Sequence, residues 1–132
     1  MPTQVGHVDG RRRPLVRVEL GGTADDILAL MDTGFNGELL LTAEDAVRLG
    51  FTRRDGTSYA QLASGQSVSV QRARGTILWL GRTRRVEALA TSEEVSTRHV
   101  DDPVALVGTQ LLSPHLVLID FRAGTIEIEE VD

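Results

Sequence analysis

Short stretches of alternating apolar and polar residues, separated by glycine turns, recur along this chain and restrict it to a small, mostly β architecture. Val16, Val18 and Leu20 alternate with Arg17 and Glu19, the period-two pattern of a half-buried strand. Gly21-Gly22 breaks that pattern before the apolar run Ile27–Met31, so the two segments read as a hairpin. Three more hairpins are expected. They are Ser58–Ala63 with Gln66–Arg72 around Ser64-Gly65, Thr76–Leu80 with Arg84–Ala90 around Gly81-Arg82, and Leu116–Phe121 with Thr125–Glu129 around Ala123-Gly124. Leu39-Leu40-Leu41 reads as a further buried strand. Thr42 follows as an N-cap, with Asp45 at the third helical position and Gly50 as the stop, marking one short helix over Ala43–Leu49. Ser92–Pro103 is polar and reads as a loop. Many short strands with one helix specify an all-β fold, a small closed barrel.

A length of 132 residues suits one domain able to bury its own core. Residues 1–13 read as a polar N-terminal arm and 14–132 as the domain. Aromatic residues make up only 4% of the chain, so the core must be built from Val, Leu, Ile and Ala. Cysteine is absent, which excludes disulfides and thiolate metal sites and fits a reducing compartment. The net charge is -5, and every one of the 14 basic residues is arginine. Given that acidic balance, Arg11-Arg12-Arg13 reads as a solvated tail rather than a phosphate contact, and no nucleic-acid partner is expected. No apolar run approaches the roughly 20 residues that span a bilayer. The N-terminal residues also lack the apolar stretch of a signal peptide. A soluble cytoplasmic protein without a membrane partner is the expectation.

The residue best placed for chemistry is Asp32. It follows Leu28-Ala29-Leu30-Met31, so an apolar strand delivers a carboxylate to the lip of the turn Thr33-Gly34. A charge beside such a run needs polar partners. Thr33 offers a hydroxyl, and Gly34 lets the backbone turn where a Cβ would clash. Three residues alone also describe an ordinary Asx-type turn at a strand end. The other polar residues carry less. His7, His99 and His115 lack ligand spacing and read as surface or turn residues, so no metal and no cofactor are expected. Ser64 and Ser113 have no adjacent base, and Gly21-Gly22 is a hairpin turn rather than a phosphate cradle. Tyr59 and Trp79, as lone aromatics on strands, read as core.

The context of Asp32-Thr33-Gly34 is more specific than the tripeptide. Pro14-Leu15-Val16-Arg17-Val18-Glu19-Leu20-Gly21-Gly22 precedes it, Ala105-Leu106-Val107-Gly108 follows far downstream, and Leu116–Phe121 with Thr125–Glu129 closes the chain. Together these segments resemble the retropepsin-like aspartic proteases, and the Phe35 that follows the glycine looks like the family's cellular bacterial and archaeal branch. The resemblance implies an acid-protease-type barrel carrying one half-site per chain. It also implies a homodimer in which Asp32 from each chain activates a water to hydrolyse a peptide or protein substrate. By the same analogy Thr33 and Gly34 support the site, and Leu106, Val107 and Gly108 thread behind it. Phe35, Ala63, Ser64 and Gly65 would contact substrate from the cleft and flap. A helix after Gly108 is expected to be cut to about one turn by Pro114. An alternative reading keeps the dimeric barrel but makes it a non-catalytic module that binds peptide or protein partners. It is motivated by the bulk of Phe35 beside the acid.

Overall fold

The computed structural model describes residues 3–20, 26–61, 65–91 and 102–131. In chain order the strands are β1 (Thr3–Val8), β2 (Pro14–Leu20), β3 (Asp26–Met31), β4 (Leu39–Thr42), β5 (Thr52–Gln61), β6 (Ser67–Trp79), β7 (Arg82–Thr91), β8 (Ala105–Val107), β9 (His115–Asp120) and β10 (Thr125–Glu130). Helix α1 (Ala43–Arg48) follows β4, and α2 (Thr109–Leu112) follows β8. One sheet runs in the order β5-β6-β7-β4-β8-β3-β2-β1-β10-β9, and a second pairing joins β6 to β2. That pairing, Glu19 with Leu78 and Leu20 with Ile77, closes β6, β7, β4, β8, β3 and β2 into a six-stranded barrel. Strand β5 extends the sheet at one end, and β1-β10-β9 extends it at the other.

The alternation in the sequence becomes the inside of the barrel. Val16, Val18, Ala29, Ile77, Ala88 and Val107 have no exposed surface. Most of the core is aliphatic, and Trp79 is buried within it. Thr42 caps α1 as its position suggests: Thr42 Oγ1 accepts a hydrogen bond from Asp45 N–H at 3.1 Å. α2 is a single turn, and Ser113 and Pro114 end it before β9.

Three local expectations change. Residues 3–8 are not a polar arm. They form β1, which lies between β10 and β2 with Gly6 paired to both Ile126 and Val16. Main-chain pairing on both edges holds this strand, and Val8 alone of its side chains packs against the core, so periodicity does not reveal it. Second, the expected strands Gln66–Arg72 and Thr76–Leu80 are one strand, β6. Gly75 in its middle does not break it. That glycine makes room for Phe51, whose ring atoms would lie 2.1 Å from a Cβ there. Third, the turn after β6 uses Leu80-Gly81 rather than Gly81-Arg82. Trp79 pairs with Arg82, and Leu80 (φ 54) and Gly81 (φ 76) are both left-handed, the geometry of a two-residue type I′ hairpin. A left-handed leucine costs about 1–2 kcal/mol. Burial of Leu80, 3% exposed, returns about 1.5–3 kcal/mol, and its N–H donates to Gln4 Oε1 at 3.2 Å.

The β1 assignment makes a sharp prediction. A Cβ on Gly6 would sit 2.3 Å from the main-chain oxygen of Leu15. Gly6→Ala should therefore lower unfolding stability by about 1–3 kcal/mol, the cost of overpacking. Urea denaturation reads this directly, and a change within about 0.5 kcal/mol, as for a solvated arm, would contradict the pairing.

Candidate functional site

Strand β3 ends on buried Met31, and the next residue, Asp32, stands half-buried at the barrel edge. The strand is held from one side by parallel pairing with β8, Met31 opposite Val107. That ladder continues through the acid, because Asp32 N–H donates to Val107 C=O at 2.9 Å. The Asp32 carbonyl accepts from Phe35 N–H at 3.1 Å, and Asp32 Oδ1 accepts from Gly34 N–H at 2.9 Å. Main chain and carboxylate are thus fixed together. Thr33 and Gly34 form the exposed crest of this turn.

Phe35 does not face a cleft. It is 0% exposed, and its ring lies where two glycines leave space. A Cβ on Gly37 would meet Phe35 Cζ at 2.5 Å, and one on Gly108 would meet Phe35 Cδ2 at 2.6 Å and the Gly37 oxygen at 2.2 Å. Leu40 and Val70 complete this second apolar cluster, with Leu89 and Leu106 packed against it. The substrate-contact role expected of Phe35 is therefore corrected: an apolar ring gains more from this enclosure than from the exposed crest two residues earlier.

Leu106, Val107 and Gly108 lie directly behind the acid. Val107 is fully buried and supplies the oxygen that Asp32 N–H meets. Gly108 leads into α2, whose first residue seals the loop: Thr109 N–H and Oγ1 both donate to Phe35 C=O, at 2.9 and 3.3 Å. Gly108 N–H and Gln110 N–H reach the carbonyls of Glu38 and Gly37 at 3.0 and 3.1 Å. Glu38 is anchored in turn, accepting from Arg84 at 2.9 Å and from Glu87 N–H at 3.2 Å. Nothing in the sequence pattern singles out Thr109 or Glu38.

The expected flap corresponds to the β5–β6 hairpin, paired as far as Gln61 with Ser67. Gly65 is exposed with φ +86. Ala63 and Ser64 lie outside the described residues. Tyr59 stands 74% exposed on β5 and is not core. His7 is exposed on β1, and His99 lies outside the described residues.

Beside the crest of the acid loop, Met31, Thr33, Leu112, His115, Val117 and Ile119 line a mostly apolar recess of about 370 Å³. His115 has a specific environment there. Trp79 Nε1–H donates to His115 Nε2 at 3.3 Å, which places the imidazole proton on a buried Nδ1 that has no hydrogen-bond partner among the described residues. Burial holds the His115 pKa below its ordinary value; the positive field of Arg84 adds to this, and Glu130 opposes it.

With this geometry in place, the chain can be set against known proteins. No family model matches the sequence, and no curated protein matches it. Among solved structures it is similar to the crystal structure of a retropepsin-like aspartic protease from Rickettsia conorii, with a TM-score of 0.64 over 97% of this chain and 91% of that one. Sequence identity is 15%, so the likeness concerns the fold. The fold is retropepsin-like: a closed six-stranded barrel with the β3–β8 pair behind the Asp32 turn.

Two predictions follow from this geometry. Phe35→Ala should cost about 3–5 kcal/mol in denaturant unfolding, as for other buried Phe truncations. A loss below about 1 kcal/mol would place the ring outside the loop it is argued to hold. His115 gives the second. Its folded pKa lies below the unfolded value of about 6.5. The unfolded chain then binds the extra proton first, and stability falls as pH drops below about 6.5 toward the folded pKa. Trp79 is the sole tryptophan, so its fluorescence should titrate with a midpoint under about 6.5 and lose that titration in His115→Gln. A midpoint above 6.5 would contradict the buried neutral imidazole.

Proposed function

We propose that this chain is one half of a homodimeric aspartic endopeptidase, with Asp32 as its catalytic acid. One observation carries the reading. Asp32 is presented at the end of β3 with its N–H, its carbonyl and one carboxylate oxygen all engaged, behind an exposed crest of Thr33-Gly34. A side chain that serves only as a turn former has no need of the β8 and α2 scaffold packed behind it. The retropepsin-like fold supports the same reading, since the acid occupies the turn that the barrel frames.

Each chain brings a single Asp-Thr-Gly, so the site is completed by a second copy. Two carboxylates brought within hydrogen-bond distance cannot both ionise cheaply, and the pair retains one proton. The ionised Asp32 takes a proton from a water bound between the two. That water attacks the scissile carbonyl while the protonated Asp32 of the partner donates to the carbonyl oxygen. Thr33 and Gly34 hold the two turns, and the β5–β6 hairpin, with Gly65 beside its tip, closes over an extended peptide or protein substrate and excludes water. The cysteine-free sequence fits a reducing compartment, and we place the activity in the cytoplasm. The alternative of a non-catalytic peptide-binding barrel drew on Phe35 crowding the acid. With Phe35 buried beneath the loop, no observation favours it.

Asp32→Asn should lower peptide hydrolysis by at least about 100-fold, the low end for removing a positioned acid–base group. Its circular dichroism and sedimentation should match those of the parent. Hydrolysis at the parental rate by the variant would refute the assignment of Asp32.

A further inference from the structure

The sheet extension has two unlike faces. Across β9, β10 and β1 the register runs Leu116–Glu129–Thr3 and Leu118–Glu127–Val5, and these residues share one face. Val117, Ile126 and Ile128 alternate with them onto the other face, where Ile126 and Ile128 are buried and Val117 adjoins the acid turn. The outward face is apolar yet uncovered. Val5, Leu116 and Leu118 are 68%, 45% and 50% exposed, and Phe121, just past β9, is 61% exposed. Val5, Leu118 and Phe121 border an open recess of about 630 Å³. Apolar side chains grouped in this way, rather than scattered singly, mark an interaction surface. Two carboxylates, Glu127 and Glu129, stand in the middle of it. Among the described residues no arginine pairs with either: Arg17 meets Asp26 at 3.1 Å, and Arg82 meets Glu130 at 2.7 Å.

We infer that this outward face binds a cationic amphipathic helix of a partner protein, its apolar stripe over β9 and its Lys or Arg residues over β10. The spacings agree. Leu116 and Leu118 lie two residues apart on their strand, a rise of about 6.8 Å, and so do Glu127 and Glu129 on theirs. Helix residues four apart rise about 6 Å along the axis. Leucines at i and i+4 of a helix aligned with the strands therefore meet Leu116 and Leu118. Cations on the adjoining flank of that helix then reach Glu127 and Glu129, one strand spacing of about 4.8 Å away. A helix of about 12 residues is about 18 Å long, close to the roughly 20 Å of a six-residue strand. In this mode of recognition the apolar stripe supplies affinity and the flanking charges choose the partner.

Charge selects this occupant over two others. A second copy stacked on the same face would set Glu127 and Glu129 against their own counterparts, which like-charge repulsion opposes. An anionic lipid surface is repelled by the same two carboxylates. A cationic helix gains from the leucines and the glutamates together, and the chain's net charge of -5 steers it in. A contact of one helix on three strands falls at the small end of specific interfaces, so the complex is a reversible one. The inference is independent of the catalytic role of Asp32, because these side chains alternate away from the face that adjoins the acid turn.

The test uses the full chain and a fluorescein-labelled helix of roughly 18 leucine and lysine residues, with leucine at i, i+3, i+4 and i+7. Binding is read by fluorescence anisotropy. Leu118→Thr and Glu127→Lys should each raise Kd at least about 10-fold, the loss expected of a contact at the centre of an interface. Glu44→Lys makes the same charge change on an exposed α1 residue and should leave Kd within about twofold, as for a screened distant charge. Circular dichroism should be unchanged in all three. Equal weakening by Glu44→Lys and Glu127→Lys, or none by Leu118→Thr, would reduce the binding to diffuse charge attraction and overturn the inference. So would a helix that fails to bind the parent at about 100 µM, the weak end of transient recognition. If the parent instead self-associates or co-sediments with phosphatidylserine vesicles, and Leu118→Thr abolishes this, the face belongs to a second copy or to a membrane, and the inference is again overturned.

Discussion

The ring of Phe35, enclosed between Gly37 and Gly108, ties together parts of the chain that are far apart in sequence. On one side is the turn that carries Asp32; on the other is the junction of β8 and α2. Both glycines are needed for this closeness, since a Cβ at either would enter the ring or a carbonyl. The ring's burial supplies the attraction, and the hydrogen bonds of Asp32, Gly108, Thr109 and Gln110 supply the direction. Apolar burial is non-directional and by itself would leave the carboxylate free to swing. Main-chain hydrogen bonds around a filled cavity do not. A single acid is thereby presented in one orientation at the lip of a closed barrel.

Closure of that barrel and the position of the acid are linked. β3 takes part in the ring through β2 and β8, and β8 reaches β7 through β4. The strand that delivers Asp32 therefore cannot shift its register without disturbing ladders on both sides, and a one-residue slip would turn Met31 and Ala29 out of the core. The strands outside the ring have another use. β1, β10 and β9 form a sheet extension whose last strand is uncharged at its centre and whose underside adjoins Thr33. Hydrogen bonds and packing are concentrated behind the acid, and exposed apolar side chains beside it.

Much of this was legible in the sequence, where side-chain periodicity carried the information. β2, β3, β4, β10 and α1 are read from alternation or from capping chemistry, because their apolar residues face one core. The acid turn is legible from the apolar run before it. What escapes is whatever depends on main chain or on distant residues. β1 is held by hydrogen bonds on both edges, so Thr3–Val8 shows no apolar period. The burial of Phe35 depends on glycines whose relation exists only after folding. Leu80 enters a left-handed turn only because the barrel offers its side chain a buried place. His115 reads as a surface residue, yet it acquires a tryptophan partner from β6.

The central claim is that Asp32 is half of a site made by two chains, and a crystal structure of the assembled protein tests it most directly. The account predicts two Asp32 carboxylates within hydrogen-bond reach of one another across a two-fold axis. Assembled chains with each Asp32 facing solvent alone, or buried against its own chain, would contradict it.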